Sequence, residues 1–195
     1  ELTAENEINE VAYLSGQRWS RAVYERAIDT RGELPLPEGG VVLLTGGARG
    51  ITARIAMALA ERRRCHIELV GRSPAPEPAE SEATRHIEDI LKLRQALLTL
   101  HPGAKPAEIE RKIKTLLSER QHRATLAAIK TAGSSVNYSQ VDVRDGEAFG
   151  AYIDGLYERY GRIDGVIHGA GVIEDKLVRD KSDESFERVF DTKVR

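Results

Sequence analysis

Cysteine is almost absent from this chain: Cys65 is the only one in 195 residues. A lone thiol builds neither a disulfide framework nor a cysteine zinc site, and a reducing cytoplasm is the simplest compartment for it. Aromatic residues are scarce, at 5%, and there is no excess of one charge, since 29 Lys+Arg stand against 31 Asp+Glu for a formal net charge of −2. A nucleic-acid binder carries a basic field, so that class of partner is set aside. Nowhere does an apolar run approach the roughly eighteen residues of a membrane-spanning helix. The acidic first ten residues also lack the basic start and apolar stretch of a secretory signal. Histidines and carboxylates show no ligand spacing, and no metal is expected. What remains is ordinary, 41% hydrophobic and 31% charged, enough for one domain with a sizeable core.

Residues 1–37 read as the end of a preceding structural subdomain plus a linker. Val11–Leu14 alternates as a strand does, a turn follows at Gly16, and Arg18–Ile28 is an amphiphilic run. Between Gly32 and Gly40 stand two prolines and three glycines, which is linker chemistry. From residue 38 the pattern becomes strand, glycine-rich turn, helix, strand. Val41–Leu44 is continuously apolar, as a parallel strand covered on both faces must be. Ile51, Ile55, Ala58 and Leu59 fall on one helical stripe. Ile67–Val70, Val136–Val143 and Gly165–Ile167 supply three more strands, and Ala148–Tyr160 another helix. This alternation predicts an α/β fold, a Rossmann-type doubly wound parallel sheet.

The crossover between the second and third strands is far longer than a strand-helix-strand unit requires, so residues 74–134 read as an inserted helical hairpin. After the extended segment Pro74–Pro78, two helical patterns run from about Glu82 to Leu100 and from Pro106 to Thr131. The second is about 39 Å long at 1.5 Å per residue, and its apolar stripe breaks at Ser118–Arg123. Leu126 and Ile129 are expected to pack on the sheet. Ile109, Ile113, Leu116 and Leu117 are expected to project beyond it and pair with Ile87, Ile90, Leu91 and Leu98.

The chemistry gathers at strand ends. Thr45, Gly46, Gly47, Ala48, Arg49, Gly50 and Ile51 join an apolar strand to an amphipathic helix, the context in which glycines let backbone approach a pyrophosphate and helix N–H groups meet its charge. Thr52 stands where a third glycine is common. Gly71-Arg72-Ser73 follows the second strand; with Arg49, its arginine and serine suit a 2′-phosphate better than a free ribose, which an acid would hold. That favours NADPH over NADH. Asp142-Val143 ends the third strand, where a short acid can reach an adenine amino group. His168-Gly169-Ala170-Gly171 ends the fourth, its small residues admitting the ribose and nicotinamide. His168 reads as a locally bonded histidine and not a base, because no Ser or Cys nucleophile pattern accompanies it.

These blocks, with Glu174-Asp175-Lys176-Leu177 and Phe186–Val194, resemble the short-chain dehydrogenase/reductase superfamily. Within it they resemble the ketoreductase domain of modular polyketide and polyunsaturated fatty acid synthases, over about residues 8–195. The resemblance implies NADPH-dependent reduction of a β-ketoacyl chain on an acyl carrier protein, beside neighbouring synthase domains and within a parent that could be a homodimer. It also implies that Lys193 is the lysine of a catalytic set whose Ser, Tyr and Asn would lie beyond Arg195, which would leave the fragment inactive by itself. Ser182, Ser185 and Tyr160 are not placed to fill those roles. A non-catalytic Rossmann scaffold or docking module is the alternative, and a stand-alone reductase of small ketones a third reading. The hairpin is a candidate surface for a neighbouring domain or second subunit.

Overall fold

A computed structural model describes residues 11–22, 24–27, 32, 34–77 and 79–194. The first ten residues, Ile28 and Pro78, assigned above to a preceding subdomain, an amphiphilic run and a linker, lie outside the described residues. The chain divides into two compact units, Glu1–Pro35 and Leu36–Arg195. In the first, β1 (Val11–Leu14) and β2 (Gln17–Ser20) form an antiparallel hairpin with Val11 opposite Ser20. Ser15 and Gly16 join them, both at positive φ (52° and 76°), the turn conformation whose twist matches a two-residue hairpin.

The second unit is built on a four-stranded parallel sheet of β3 (Val41–Thr45), β4 (His66–Gly71), β5 (Ser135–Gln140) and β6 (Gly165–His168), in the order β5-β4-β3-β6. Every residue of β3 is buried, because helices cover both faces. The chain steps outward from β3 to β5 and then returns to the far side of β3. The strand order therefore reverses between β3 and β6, the place where such sheets open a crevice beyond their carboxyl ends.

On one face lies α1 (Gly50–Arg62), whose buried residues are Thr52, Ala53, Ala56 and Ala60. This corrects the expected stripe: Ile51 is 78% exposed, and small side chains set the helix against the sheet instead. On the other face α4 (Gly146–Tyr160) inserts Leu156 against Leu43 and Val70. That face also holds Glu68 of β4, 1% exposed. Its carboxylate accepts hydrogen bonds from Tyr160 Oη (2.8 Å), Tyr152 Oη (2.9 Å) and Asn137 Nδ2 (2.7 Å), with Arg159 at 3.6 Å. A buried carboxylate persists only when partnered in this way. Burial first, and then the charge of Glu68, push the Tyr152 hydroxyl far up, so it remains a donor.

Between β4 and β5 lie α2 (Ile90–Leu100) and α3 (Pro106–Thr131). The first helix starts at Ile90, not near Glu82. Ser81 and Thr84 turn the preceding segment, with the Thr84 N–H donating to the Ser81 carbonyl at 3.0 Å, and Asp89 caps the helix by accepting from the Lys92 N–H at 2.8 Å. Such local bonds compete with helix in Ser, Thr and Asp-rich segments. Leu93 and Leu97 pack against Ile109 and Ile113, with Ile87, Leu116 and Leu117 around them. Of the expected partners Ile87 packs here, whereas Ile90, Leu91 and Leu98 are exposed, because the stripe of α2 that meets α3 is the one carrying Leu93 and Leu97. Burying four such side chains contributes about 1.5–3 kcal/mol each before entropy.

Farther along α3, Arg120 forks onto Glu80, with both nitrogen–oxygen distances at 2.8 Å, and donates to the carbonyls of Thr84 and Ile87 at 2.7 and 2.8 Å. Arg123 adds a 3.2 Å bond to the same carboxylate. The segment leading to α2 is thereby pinned to the middle of α3, and the Arg120 hydrogen bond holds the Glu80 carboxyl below its usual range. The last turns of α3 reach the sheet, where Ile129 is fully buried, and the helix packs on α1 and β5. Among the described residues no helix is long and apolar enough to cross a membrane.

Candidate functional site

A cleft of about 610 Å³ opens beyond the carboxyl ends of the strands. Its floor is backbone. The N–H groups of Gly46 and Gly47 both donate to the Val70 carbonyl, at 2.9 and 2.7 Å, turning the chain sharply out of β3. Gly46 has φ of +112°, and a Cβ there would lie 2.7 Å from the Gly169 carbonyl oxygen, so only glycine lets the two loops meet. Thr52, standing where a third glycine is common, is buried with its hydroxyl against Gly169. Arg49 begins α1 without a side-chain cap, and no acid occupies the first turn. The open N–H groups of that turn therefore present their partial positive charge to the cleft side.

At the end of β4, Gly71 has no room for a side chain, because a Cβ would come within 2.6 Å of the Tyr138 hydroxyl. That hydroxyl donates to the Ser73 carbonyl at 2.7 Å and fixes the loop carrying Arg72. At the end of β5, Arg144 forks onto Asp142 with contacts of 3.1 and 2.6 Å, and this bond holds the Asp142 carboxyl below its usual range. At the end of β6, Thr45 Oγ1 lies 2.8 Å from His168 Nδ1 and accepts from the Ala170 N–H at 3.3 Å. His168 Nε2 lies 3.0 Å from the Thr192 carbonyl, which can only accept, so this nitrogen carries a proton.

Helix α5 (Asp183–Val194) brings Lys193 to the same corner, its ammonium 3.6 Å from where a Gly171 side chain would begin. The loop before α5 is held by Glu174, which accepts from Ser185 Oγ at 2.6 Å and from two Arg188 nitrogens at 2.8 Å. The Arg188 bonds, then Ser185, pull the Glu174 carboxyl down to about 2.

Of the residues singled out in the sequence, Gly46, Gly47, Arg49, Arg72 and Ser73 line the cleft from one side. Asp142, Val143, Gly169, Ala170 and Gly171 line it from the other. Thr45, Gly50, Ile51, His168 and Lys193 do not line it. Thr45 and His168 tie the strand ends together behind it, Gly50 and Ile51 open the helix, and Lys193 stands against Gly171. Ser185 is buried on Glu174 and Tyr160 is committed to Glu68. Sequence reasoning missed one wall entirely: Lys114, Ser118 and His122 of α3 face the cleft, with Thr115 and Glu119 beside them. The signal was their spacing at i, i+4 and i+8; the break in the apolar stripe at Ser118–Arg123 marked a change of neighbour. Among the described residues no cluster of His, Cys, Asp and Glu is assembled that could hold a metal ion.

Sheet order, switch point and glycine turn together define a Rossmann-type α/β unit. The family model of the KR domain matches residues 40–195, and the chain belongs to that family, the ketoreductase domains that polyketide and polyunsaturated fatty acid synthases build on the short-chain dehydrogenase/reductase fold. It is 28% identical over 159 residues to the polyketide synthase PksM of Bacillus subtilis (strain 168), covering 82% of this chain and 3% of that protein. It is 27% identical over 164 residues to a polyunsaturated fatty acid synthase of a Thraustochytrium species, covering 79% of this chain and 6% of that one. Among solved structures, a ketoreductase domain from the bacillaene assembly line is 27% identical with a TM-score of 0.58, over 93% of this chain and 33% of that one. PlmKR1, from the first module of phoslactomycin biosynthesis in Streptomyces sp. HK803, shares the fold with a TM-score of 0.64 at 24% identity, over 99% of this chain and 35% of that one. The chain thus spans a small fraction of the synthases it matches.

Proposed function

We propose that this chain is the cofactor-holding part of a reductase that uses NADPH to convert a β-ketoacyl group, carried on an acyl carrier protein, to the β-hydroxyacyl product. Neighbouring synthase domains and the carrier protein are its partners, and the lone buried Cys65 suits a cytoplasmic setting. The observation that carries the reading is electrostatic. Among the described residues the side chains of Arg49 and Arg72 make no ion pair, and both line one cleft, Arg49 at the start of a helix that has no side-chain cap. Cations kept unpaired at such a place suit a phosphorylated ligand.

When bound, NADPH supplies the hydride. Gly46, Gly47 and the first turn of α1 would receive its pyrophosphate, Arg49, Arg72 and Ser73 the 2′-phosphate, and Asp142 and Val143 the adenine. Gly169–Gly171 would admit the nicotinamide ribose, with His168 holding that loop to β3. Lys193 places a positive charge at this corner, where it would bond the ribose and lower the pKa of a proton donor set beside it. No residue of the described site matches the family's serine, tyrosine or asparagine, so this chain alone is expected to bind nucleotide without reducing a ketone. Titration with NADPH and with NADH tests the reading. The wild-type chain is expected to prefer NADPH, and Arg72→Ala to lose about tenfold or more of that preference. Equal affinities in both proteins would overturn it.

A further inference from the structure

We infer that the inserted helix α3 is itself part of the nucleotide site: Lys114, Ser118 and His122 form the third wall of the cleft and recognise the phosphorylated ribose of adenosine. The inference rests on the NADPH reading above and assigns to it residues outside the glycine loop and strand ends.

Three observations converge. Lys114, Ser118 and His122 recur every four residues on α3, so one face of the helix presents them together along the cleft. The opposite, apolar positions Ile109 and Ile113 are consumed by α2. Next, Lys114 joins Arg49 and Arg72 as a cation without an ion pair among the described residues. Three such cations from three separate segments border one cleft. Glu119, the acid on this wall, already faces Arg123 at 3.7 Å.

The third observation is a buried nitrogen with no partner. His122 is 5% exposed, and its Nε2 is the only buried side-chain nitrogen or oxygen among the described residues that finds no hydrogen bond. An orphan of this kind costs about 1–3 kcal/mol, a loss that a ligand oxygen would offset. Its ring packs edge-on against Tyr138 at 4.1 Å, and the Tyr138 hydroxyl holds the Ser73 carbonyl. The imidazole is therefore coupled to the loop that carries Arg72. Burial first, and then the charge of Arg49, push the imidazole pKa down, so the ring stays neutral beside the arginine and offers a hydrogen bond. His122 lines the cleft, so its unpartnered Nε2 lies at the wall an entering ligand would meet. The Arg120 and Arg123 clamp on Glu80 keeps this stretch of α3 in place.

The test is calorimetric titration of the full chain with NADPH and NADH, read beside thermal unfolding without nucleotide. Lys114→Ala is expected to weaken NADPH about fivefold, and Lys114→Glu about twentyfold or more, with NADH changed less than about twofold. His122→Leu is expected to weaken NADPH about tenfold while the nucleotide-free melting temperature holds or rises, because it removes an unsatisfied polar atom. A purely structural histidine would instead show a lower melting temperature with unchanged affinity. If Arg72→Ala loses the preference for NADPH while Lys114→Glu and His122→Leu keep it, the role of α3 is overturned and the NADPH reading stands. If the wild-type chain binds both nucleotides equally, both are overturned.

Discussion

Two crossovers pack against each other on the same side of the sheet, and they address the cleft by different means. From β3 to β4 the chain uses residues 46–65, and what it offers is chiefly backbone: the glycine turn and the uncapped start of α1, with Arg49 the one charged side chain it brings to the cleft. From β4 to β5 it uses residues 72–134, and what it offers is side chains on the middle of a long helix. The first design leaves little freedom, since a Cβ at Gly46 would strike the Gly169 backbone. The second tolerates variation, because a helical stripe can change residue by residue without moving the chain. A pyrophosphate-type contact is suited to the glycine turn of the first, and discrimination between related nucleotides to side chains, Arg49 in the first and those of α3 in the second.

The largest effect should come from breaking the first wall. Gly46→Val forces a branched side chain into left-handed backbone and against Gly169, and is expected to destabilise the unit by about 3–5 kcal/mol and abolish nucleotide binding. Urea unfolding and NADPH titration read both. Next, Leu93→Ala hollows the seam between α2 and α3 and should cost about 2–4 kcal/mol. Hydrogen exchange should then accelerate in α2 and the first half of α3 while β3 stays protected. Arg120→Ala removes most of the clamp from the largely buried Glu80 and should cost about 2 kcal/mol. It should also weaken NADPH by about threefold to tenfold through a loosened α3, and unchanged affinity would separate the clamp from the site.

The smallest effect sharpens the comparison by lying in neither crossover. Glu174 falls from an ordinary 4.5 to about 2. A depressed carboxyl stabilises the folded state fully above 4.5 and loses that contribution as pH falls toward 2. In Glu174→Gln the exchange protection of α5 should be lower at neutral pH and its dependence on pH between 4.5 and 2 flatter. Superimposable pH profiles for the two proteins would contradict the assignment.

The first crossover was legible because sterics dictate residue type: glycines after an apolar strand and before a helix have few other uses. The parallel sheet followed from the alternation of patterns, and Arg72, Ser73, Asp142 and Gly169 fell at strand ends where the sheet must open. The second crossover was half legible. Its two helices could be read, but the start of α2 was hidden by local bonding of Ser81, Thr84 and Asp89. The facing of α3 was hidden because only tertiary contacts decide which stripe meets α2 and which meets the cleft. Glu68 was invisible for the same reason, its partners Tyr152 and Tyr160 lying on a distant helix. The resemblance of the motif blocks identified the family, whereas the polar stretch Ser118–Arg123 read only as an interruption.

The most direct measurement is a two-dimensional NMR titration of the chain with NADPH, following the Gly47 amide in one wall and the Ser118 amide and His122 ring in the other. Both walls are expected to shift together and to saturate at the same nucleotide concentration. Movement of the Gly47 resonance with Ser118 and His122 unchanged would contradict a cleft built from two crossovers.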